Sequence, residues 1–197
     1  LPRGTPAAER LRVQNLGNSI VALSQGVPFF HAGQEMLRSK SLDRNSFNSG
    51  DWFNLLDYSY LENGWGRGLP PKWDNEENWP VARGLLADPA MAVSPEHIRS
   101  ATVHFREMLR IRRSSGLFRL RTGAEIRDRL QFHNTGPGQV PGLVVMSLAG
   151  EKGVEIMVLI NSGKQAQVFS PALGEGEHFE LHPVQRHSSD PVVRKAF

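Results

Sequence analysis

Apolar residues recur at Val13, Leu16, Ile20 and Leu23, three or four positions apart, and predict a helix over residues 7–24. Pro6 stands near its start, where a missing N–H does no harm, and Gly26 closes it. The run at 27–32 (VPFFHA) is short and nearly continuous in apolar residues, and Gly33 ends it. That pattern predicts a strand buried on both faces, as in a parallel sheet. Helix then buried strand is half of a βα repeat. Residues 94–113 predict the clearest helix. Ser94 suits the N-cap, Pro95 the first helical position and Glu96 the positive end. Ile98, Thr102, Phe105, Leu109 and Arg112 share one face there, with Ala101 and Met108 beside them. Arg110, Arg112 and Arg113 fill the last turn, where cations are favoured, and Gly116 follows.

After Gly116 the period shortens. Runs at 130–132, 143–148, 154–160, 167–169 and 179–181 read as strands. Turn signals separate them: Asn134-Thr-Gly-Pro-Gly, Ala149-Gly, Asn161-Ser-Gly and Gly174-Glu-Gly. Short strands at even spacing predict an antiparallel sandwich. The boundary falls at 115–121. No internal repeat and no low-complexity tract interrupts the chain.

Between these regions, residues 34–89 show little periodicity and are rich in Gly, Asn, Asp and Pro. All four tryptophans and both tyrosines lie here, an aromatic content that a disordered segment lacks. An ordered excursion with short helical pieces is expected, and long ordered loops are usually functional.

Composition narrows the classes. Of 197 residues, 39% are hydrophobic and 22% charged, which suits a globular chain with a sizeable core. Twenty-three basic and 20 acidic side chains give +3, without a block of like charge, so nucleic acid is not an expected partner. No apolar run approaches the ~20 residues of a membrane span, so no membrane partner is expected. No cysteine is present, which removes disulfides, thiolate zinc sites and cysteine nucleophiles. The chain starts at Leu1 rather than methionine, as a processed chain or a fragment would.

Common catalytic signatures are missing: no G-x-S-x-G elbow, Walker loop or H-E-x-x-H. Gly64, Gly66 and Gly68 follow no predicted strand and do not make a dinucleotide fingerprint. His178 and His182 flank a β-like run, where four residues span roughly 13 Å, too far to share a metal. His31 reads either as a core histidine or as a group at the mouth of a site.

The chemistry concentrates in residues 33–79, where carboxylates, amides and cations mix with the aromatics. Polar forks can bind the hydroxyls of a sugar while an aromatic ring packs on its apolar face. The same residues could simply hold a long loop together. Calcium also takes oxygen ligands, but the spacing does not match a calcium loop.

Residues 23–60 (LSQGVPFFHAGQEMLRSKSLDRNSFNSGDWFNLLDYSY) closely resemble the end of the catalytic barrel of α-1,6-glucan debranching enzymes. These are the pullulanases and plant-type limit dextrinases of the α-amylase clan. The resemblance continues through GLPPKWDNEENWP at 68–80, LRIRRSSGLFRL at 109–120, FHNTGPGQVPGLVVMS at 132–147 and FELHPVQ at 179–185.

The resemblance implies an α/β fold joined to an all-β one. Residues 1–115 would be the C-terminal portion of a (β/α)8 TIM barrel: its seventh helix, eighth strand, eighth loop and closing helix. Residues 116–197 would be the antiparallel β-sandwich that follows, cut short of a final strand. It further implies hydrolysis of α-1,6-glucosidic bonds in branched α-glucan, with retention through a covalent glycosyl-enzyme. The nucleophile, the acid/base and a His-Asp pair would all lie upstream of Leu1, so no catalytic residue is expected in this chain. Its role would be substrate binding. By position in the eighth loop, Arg44 and Asn45 lead, then Asp51 and Trp52, then Asp74, Asn75 and Glu77 towards outer glucose units. Arg38 and Lys40 would orient carboxylates rather than touch sugar. No metal or cofactor is expected here, with calcium placed, if anywhere, in the missing part. The expected partners are branched α-glucan or malto-oligosaccharide and the missing N-terminal part of the same chain. The alternative is a stand-alone, non-catalytic α-glucan-binding module or an inactive remnant.

Overall fold

Helix α1 (Ala7–Leu23) forms where the apolar spacing predicts it, but a different face is buried. Val13 and Ile20 are exposed, whereas Asn18, Ser19, Ala22 and Leu23 are covered. With Asn15 buried as well, the more polar face of the helix is the one that packs. The computed structural model describes residues 1–2, 4–171 and 178–196. Within them the chain forms two compact units, one of Leu1–Asn15 with Phe30–Phe105, the other of Leu16–Phe29 with Arg106–Phe197.

The first unit holds three short helices, α2 (Gly50–Asn54), α3 (Lys72–Asn75) and α4 (Trp79–Leu86), with 3₁₀ turns at Gln34–Met36, Ser46–Asn48, Glu76–Asn78 and Pro89–Met91. The aromatic-rich excursion is therefore ordered with short helical pieces, as its composition predicts. The long helix α5 (Pro95–Ser114) begins in this unit and ends in the other. Ile98, Ala101, Phe105, Met108 and Arg112 are buried along it, while Leu109 is half-exposed. The buried stripe, which also takes in Thr102 and Ile111, keeps the predicted face with Ala101 and Met108 beside it and departs from it only at Leu109. Met36 and Ala82 join Ile98 and Ala101 in the core of the first unit, and Phe30 meets Phe105 edge to face at 4.7 Å.

In the second unit, α6 (Gly123–Arg129) starts with a capping box: Thr122 and Glu125 each satisfy the other's backbone N–H. Strands β1 (Leu130–Phe132), β2 (Leu143–Gly150) and β3 (Gly153–Asn161) follow in an antiparallel sheet of order β1-β2-β3. Gly150 pairs with Gly153 across a two-residue hairpin loop, and a register shift sits at Leu148/Ala149. Central β2 buries Leu143, Val145, Met146 and Leu148, which pack with Phe118 and Val158 as the core of this unit. Short helices α7 (Pro183–Arg186) and α8 (Pro191–Arg194) end it, each with proline in its first turn and a side-chain cap from His182 or Asp190.

Three expectations need correction. Residues 27–32 form no strand, and Val27 and Phe29 are 79% and 86% exposed. A strand buried on both faces needs a neighbouring strand, and none lies beside this run among the described residues. The runs at 167–169 and 179–181 also carry no strand, and Val168 is exposed. One three-stranded sheet is described where a two-sheet sandwich was predicted. The Gly174-Glu-Gly turn lies outside the described residues.

Arg112 has a role that its place in the last turn of α5 does not disclose. Its guanidinium is buried and donates to the carbonyls of Ala22, Ser24 and Gly26 at 2.8, 2.7 and 2.6 Å. It thereby satisfies acceptors left open at the C-terminal end of α1. Burial pushes its pKa down, with Arg119 adding a like-charge contribution.

Candidate functional site

The loop after Phe30 owes its shape to sharp reversals. Gly33 has φ of 91°, and a Cβ there would lie 2.6 Å from Cδ of Arg38 and 2.7 Å from Cδ2 of Leu56. Only glycine fits that contact. Leu37, Ser41 and Leu42 take left-handed φ of 58°, 53° and 66°, so the chain turns back repeatedly within a few residues. Side chains fix each reversal. Arg38 donates to the carbonyls of Ala32, at 3.2 Å, and Asn54. The buried Ser41 hydroxyl donates to Gly68 O at 2.6 Å, and Asn63 Nδ2 to Leu37 O at 2.8 Å. Lys40 donates to Ser46 Oγ at 2.6 Å. Among the described residues Arg38 and Lys40 are thus bonded to carbonyls and a hydroxyl.

Above this framework lies a cavity of about 560 Å³, lined by Arg44 and Asn45 together with His31, Lys40, Asp43, Ser46, Phe47 and Asn54. The Arg44 fork is held by Asp74, through Nη2–Oδ1 at 3.0 Å and Nε–Oδ2 at 3.3 Å. That contact raises the Arg44 pKa and lowers that of Asp74, which Asn45 also hydrogen-bonds. Glu77 adds a weaker field at Arg44. Asn75 is buried beneath: its Oδ1 accepts from Arg44 N at 3.1 Å, and its Nδ2 donates to Asp43 Oδ1 at 3.1 Å and Pro71 O at 2.9 Å. Asp43 Oδ2 is buried with no partner among the described residues.

The sequence-predicted residues therefore separate into groups. Arg44 and Asn45 line the cavity, Asp74 and Asn75 brace them, and Glu77 is exposed nearby. Asp51 and Trp52 sit on α2 and do not line it. Trp52 is 63% exposed, but its indole N–H is bonded to Arg67 O at 2.6 Å, and the Arg67 guanidinium lies 5.6 Å from its ring centre. His31 is exposed and lines the cavity. Sequence reasoning passed over Phe47, whose ring is 80% exposed and meets Trp73 edge to face at 5.7 Å and 82°. Its signal was there: an apolar residue in the polar run Asp43-Arg-Asn-Ser-Phe-Asn-Ser. Among the described residues no three His, Asp or Glu side chains gather as metal ligands, and no helix is long and apolar enough to cross a membrane.

A planar cation, an amide, an imidazole and an exposed aromatic around one open cavity suit a polyhydroxylated ligand with an apolar face. Comparison with known proteins agrees in kind. The chain is 49% identical to chloroplastic pullulanase 1 of Arabidopsis thaliana over 95% of its own length, and 34% identical to a pullulanase of Klebsiella aerogenes over 91%. It spans about a fifth of the length of these relatives, 21% and 17%. The Klebsiella pneumoniae pullulanase structure complexed with maltotriose matches 93% of the chain with a TM-score of 0.81 at 32% identity, and the match covers 18% of that chain. Residues 60–197 match the family described as "Alpha-1,6-glucosidases, pullulanase-type, C-terminal". With relatives on both sides of that boundary, the chain belongs to the pullulanase-type α-1,6-glucosidases, a family of debranching glycoside hydrolases.

Proposed function

We propose that this chain is the C-terminal part of a debranching hydrolase that cleaves α-1,6-glucosidic bonds of branched α-glucan with retention of configuration. Residues 1–115 would complete the catalytic barrel, with 27–32 as its eighth strand, and residues 116–197 would belong to the sandwich that follows. The catalytic carboxylates would come from sequence upstream of Leu1, as the family resemblance implies. The observation that carries this reading is the Arg44–Asn45 cavity in a chain whose family is pullulanase-type. The exposed apolar faces of Val27 and Phe29 fit a strand that gains its neighbours from that upstream sequence. Maltotriose, the ligand in the matched Klebsiella pneumoniae structure, is the size of sugar that such a cavity could engage.

In this reading the chain binds and does not itself break the bond. The Asp74-held guanidinium of Arg44 presents a fixed fork to adjacent hydroxyls, with Nη1 still available as a donor. Asn45 supplies a neighbouring amide.

The test is pullulan hydrolysis by the full-length gene product, with the anomer of the first product read by NMR. Release of the α-anomer supports retention, and release of the β-anomer refutes it. Arg44→Ala should lower kcat/KM by roughly one to two orders of magnitude, as the loss of one charged hydrogen bond to substrate would. Arg44→Lys should restore little, since an ammonium lacks the fork. Unchanged kinetics in Arg44→Ala would remove Arg44 from the site. A full-length product that binds maltotriose but hydrolyses nothing would leave the non-catalytic glucan-binding module in its place.

A further inference from the structure

We infer that Phe47 is a stacking subsite for one glucosyl ring of an α-glucan, braced from behind by Trp73. The inference rests on the glucan reading above and adds a residue and a contact to it. Phe47 is anomalous on its own terms. It is a large apolar ring left 80% open to water at the edge of a cavity. The backbone beneath it is firmly held. It lies in the 3₁₀ turn Ser46–Asn48, and Ser46 is buried. Lys40 donates to Ser46 Oγ, and Asn54 Nδ2 donates to Ser46 O at 2.6 Å and Gly50 O at 3.1 Å. A ring fixed in this way loses little freedom when a ligand settles on it.

Trp73 supplies the second constraint. It meets Phe47 edge to face at 82°, an arrangement that holds a ring upright and leaves a face of the pair uncovered. Trp73 is itself 54% exposed, and its neighbour Asp74 grips Arg44. One short helix, α3, thus positions both the aromatic brace and the carboxylate that orients the guanidinium. The result is an apolar face beside polar forks, which matches a glucosyl ring, with its C–H face and its rim of hydroxyls. A purely apolar partner would cover the polar rim of Arg44 and Asn45 without offering it a hydrogen-bond partner. Trp52 cannot play this part as well, because its N–H is bonded and Arg67 lies over its ring.

Maltotriose affinity of the full-length protein, measured calorimetrically for the wild type, Phe47→Leu and Phe47→Tyr, tests the inference. Leucine keeps apolar bulk but no flat face, and tyrosine keeps the face. Phe47→Leu should weaken binding about five- to tenfold, and Phe47→Tyr should stay within about twofold, as the loss or retention of one aromatic contact would give. The exposed position leaves folding unaffected, which unchanged melting temperatures will verify. Wild-type affinity in Phe47→Leu, with pullulan still hydrolysed, would overturn the subsite alone. A wild-type protein that ignores millimolar maltotriose would overturn the subsite and the glucan reading together.

Discussion

The loop that carries the cavity and the sheet β1-β2-β3 are built by different forces. In the sheet, Val145, Met146 and Leu148 are buried beside Phe118, and backbone ladders satisfy the peptide groups. In the loop few side chains of any size are buried, and single polar groups do the holding: Arg38, Ser41, Asn63 and Asn75 each bond a backbone group far from them in sequence. The sheet is therefore redundant, since many contacts share the load, whereas the loop has a few irreplaceable ones. Redundant packing tolerates a reshuffled pattern. A loop of single ties fails one tie at a time, but it can present groups such as Arg44 and Phe47 that a packed face would bury.

The comparison breaks first, and with the largest effect, in the sheet's own unit. Phe118→Ala deletes a ring that is 1% exposed. It should cost ~3–5 kcal/mol, and thermal or denaturant unfolding should shift accordingly. A shift under ~1 kcal/mol would mean that the unit collapses around the gap and that its packing is less specific than described.

A smaller effect sharpens the comparison in the loop. Asn75→Ala removes three hydrogen bonds, takes the side-chain acceptor from the Arg44 N–H and leaves Asp43 Oδ1 with the Asn45 N–H alone. About 2 kcal/mol is expected, as for a buried polar partner removed. Hydrogen exchange should locate the loss. The Arg44 amide should exchange faster, and amides of β2 should not change. Uniform acceleration across the chain would show that the loop's ties are not local after all.

These differences also explain what could be read from sequence. β1 starts and ends where its apolar run predicts, and β2 and β3 extend their predicted runs by one or two residues, because Gly- and Asn-containing turns bound each run. Helix α5 was equally plain, though its buried stripe was misjudged by one position at Leu109. The run at 27–32 misled because apolar content states what a segment can bury, not whether a partner is present. In the loop, amides and carboxylates could be named as sugar-binding chemistry, but not sorted. Nothing in the local sequence distinguishes Asn75, buried as a brace, from Asn45, which lines the cavity 30 residues earlier. That sorting depends on reversals at Leu37, Ser41 and Leu42, whose left-handed φ no propensity announces.

The smallest predicted effect separates the two regions by acid. His182 caps α7: its Nδ1 accepts from Val184 N at 3.1 Å, and its Nε2 meets Ser114 Oγ at 3.1 Å. The Ser114 hydroxyl already donates to Ile111 O at 2.7 Å, so His182 Nε2 carries the proton and Nδ1 is bare. Partial burial, and then the Arg186 charge, hold its pKa below the ordinary 6.5. A depressed folded value means that the neutral ring's contribution is present above about pH 6.5 and is lost as pH falls through the folded value. Asp74 behaves alike on a lower scale. The Arg44 hydrogen bond holds its carboxyl below the ordinary 3.8, so its contribution survives until pH falls under that value. An NMR titration from neutral to acid should therefore move the Val184 amide first, while the Arg44 and Asn45 resonances hold until below pH 4. The window between the two events is where the α7 cap has gone but the cavity's fork is intact. If the Arg44 region moved together with Val184, Asp74 would not be what orients the guanidinium, and the loop would owe its acid response to some other tie.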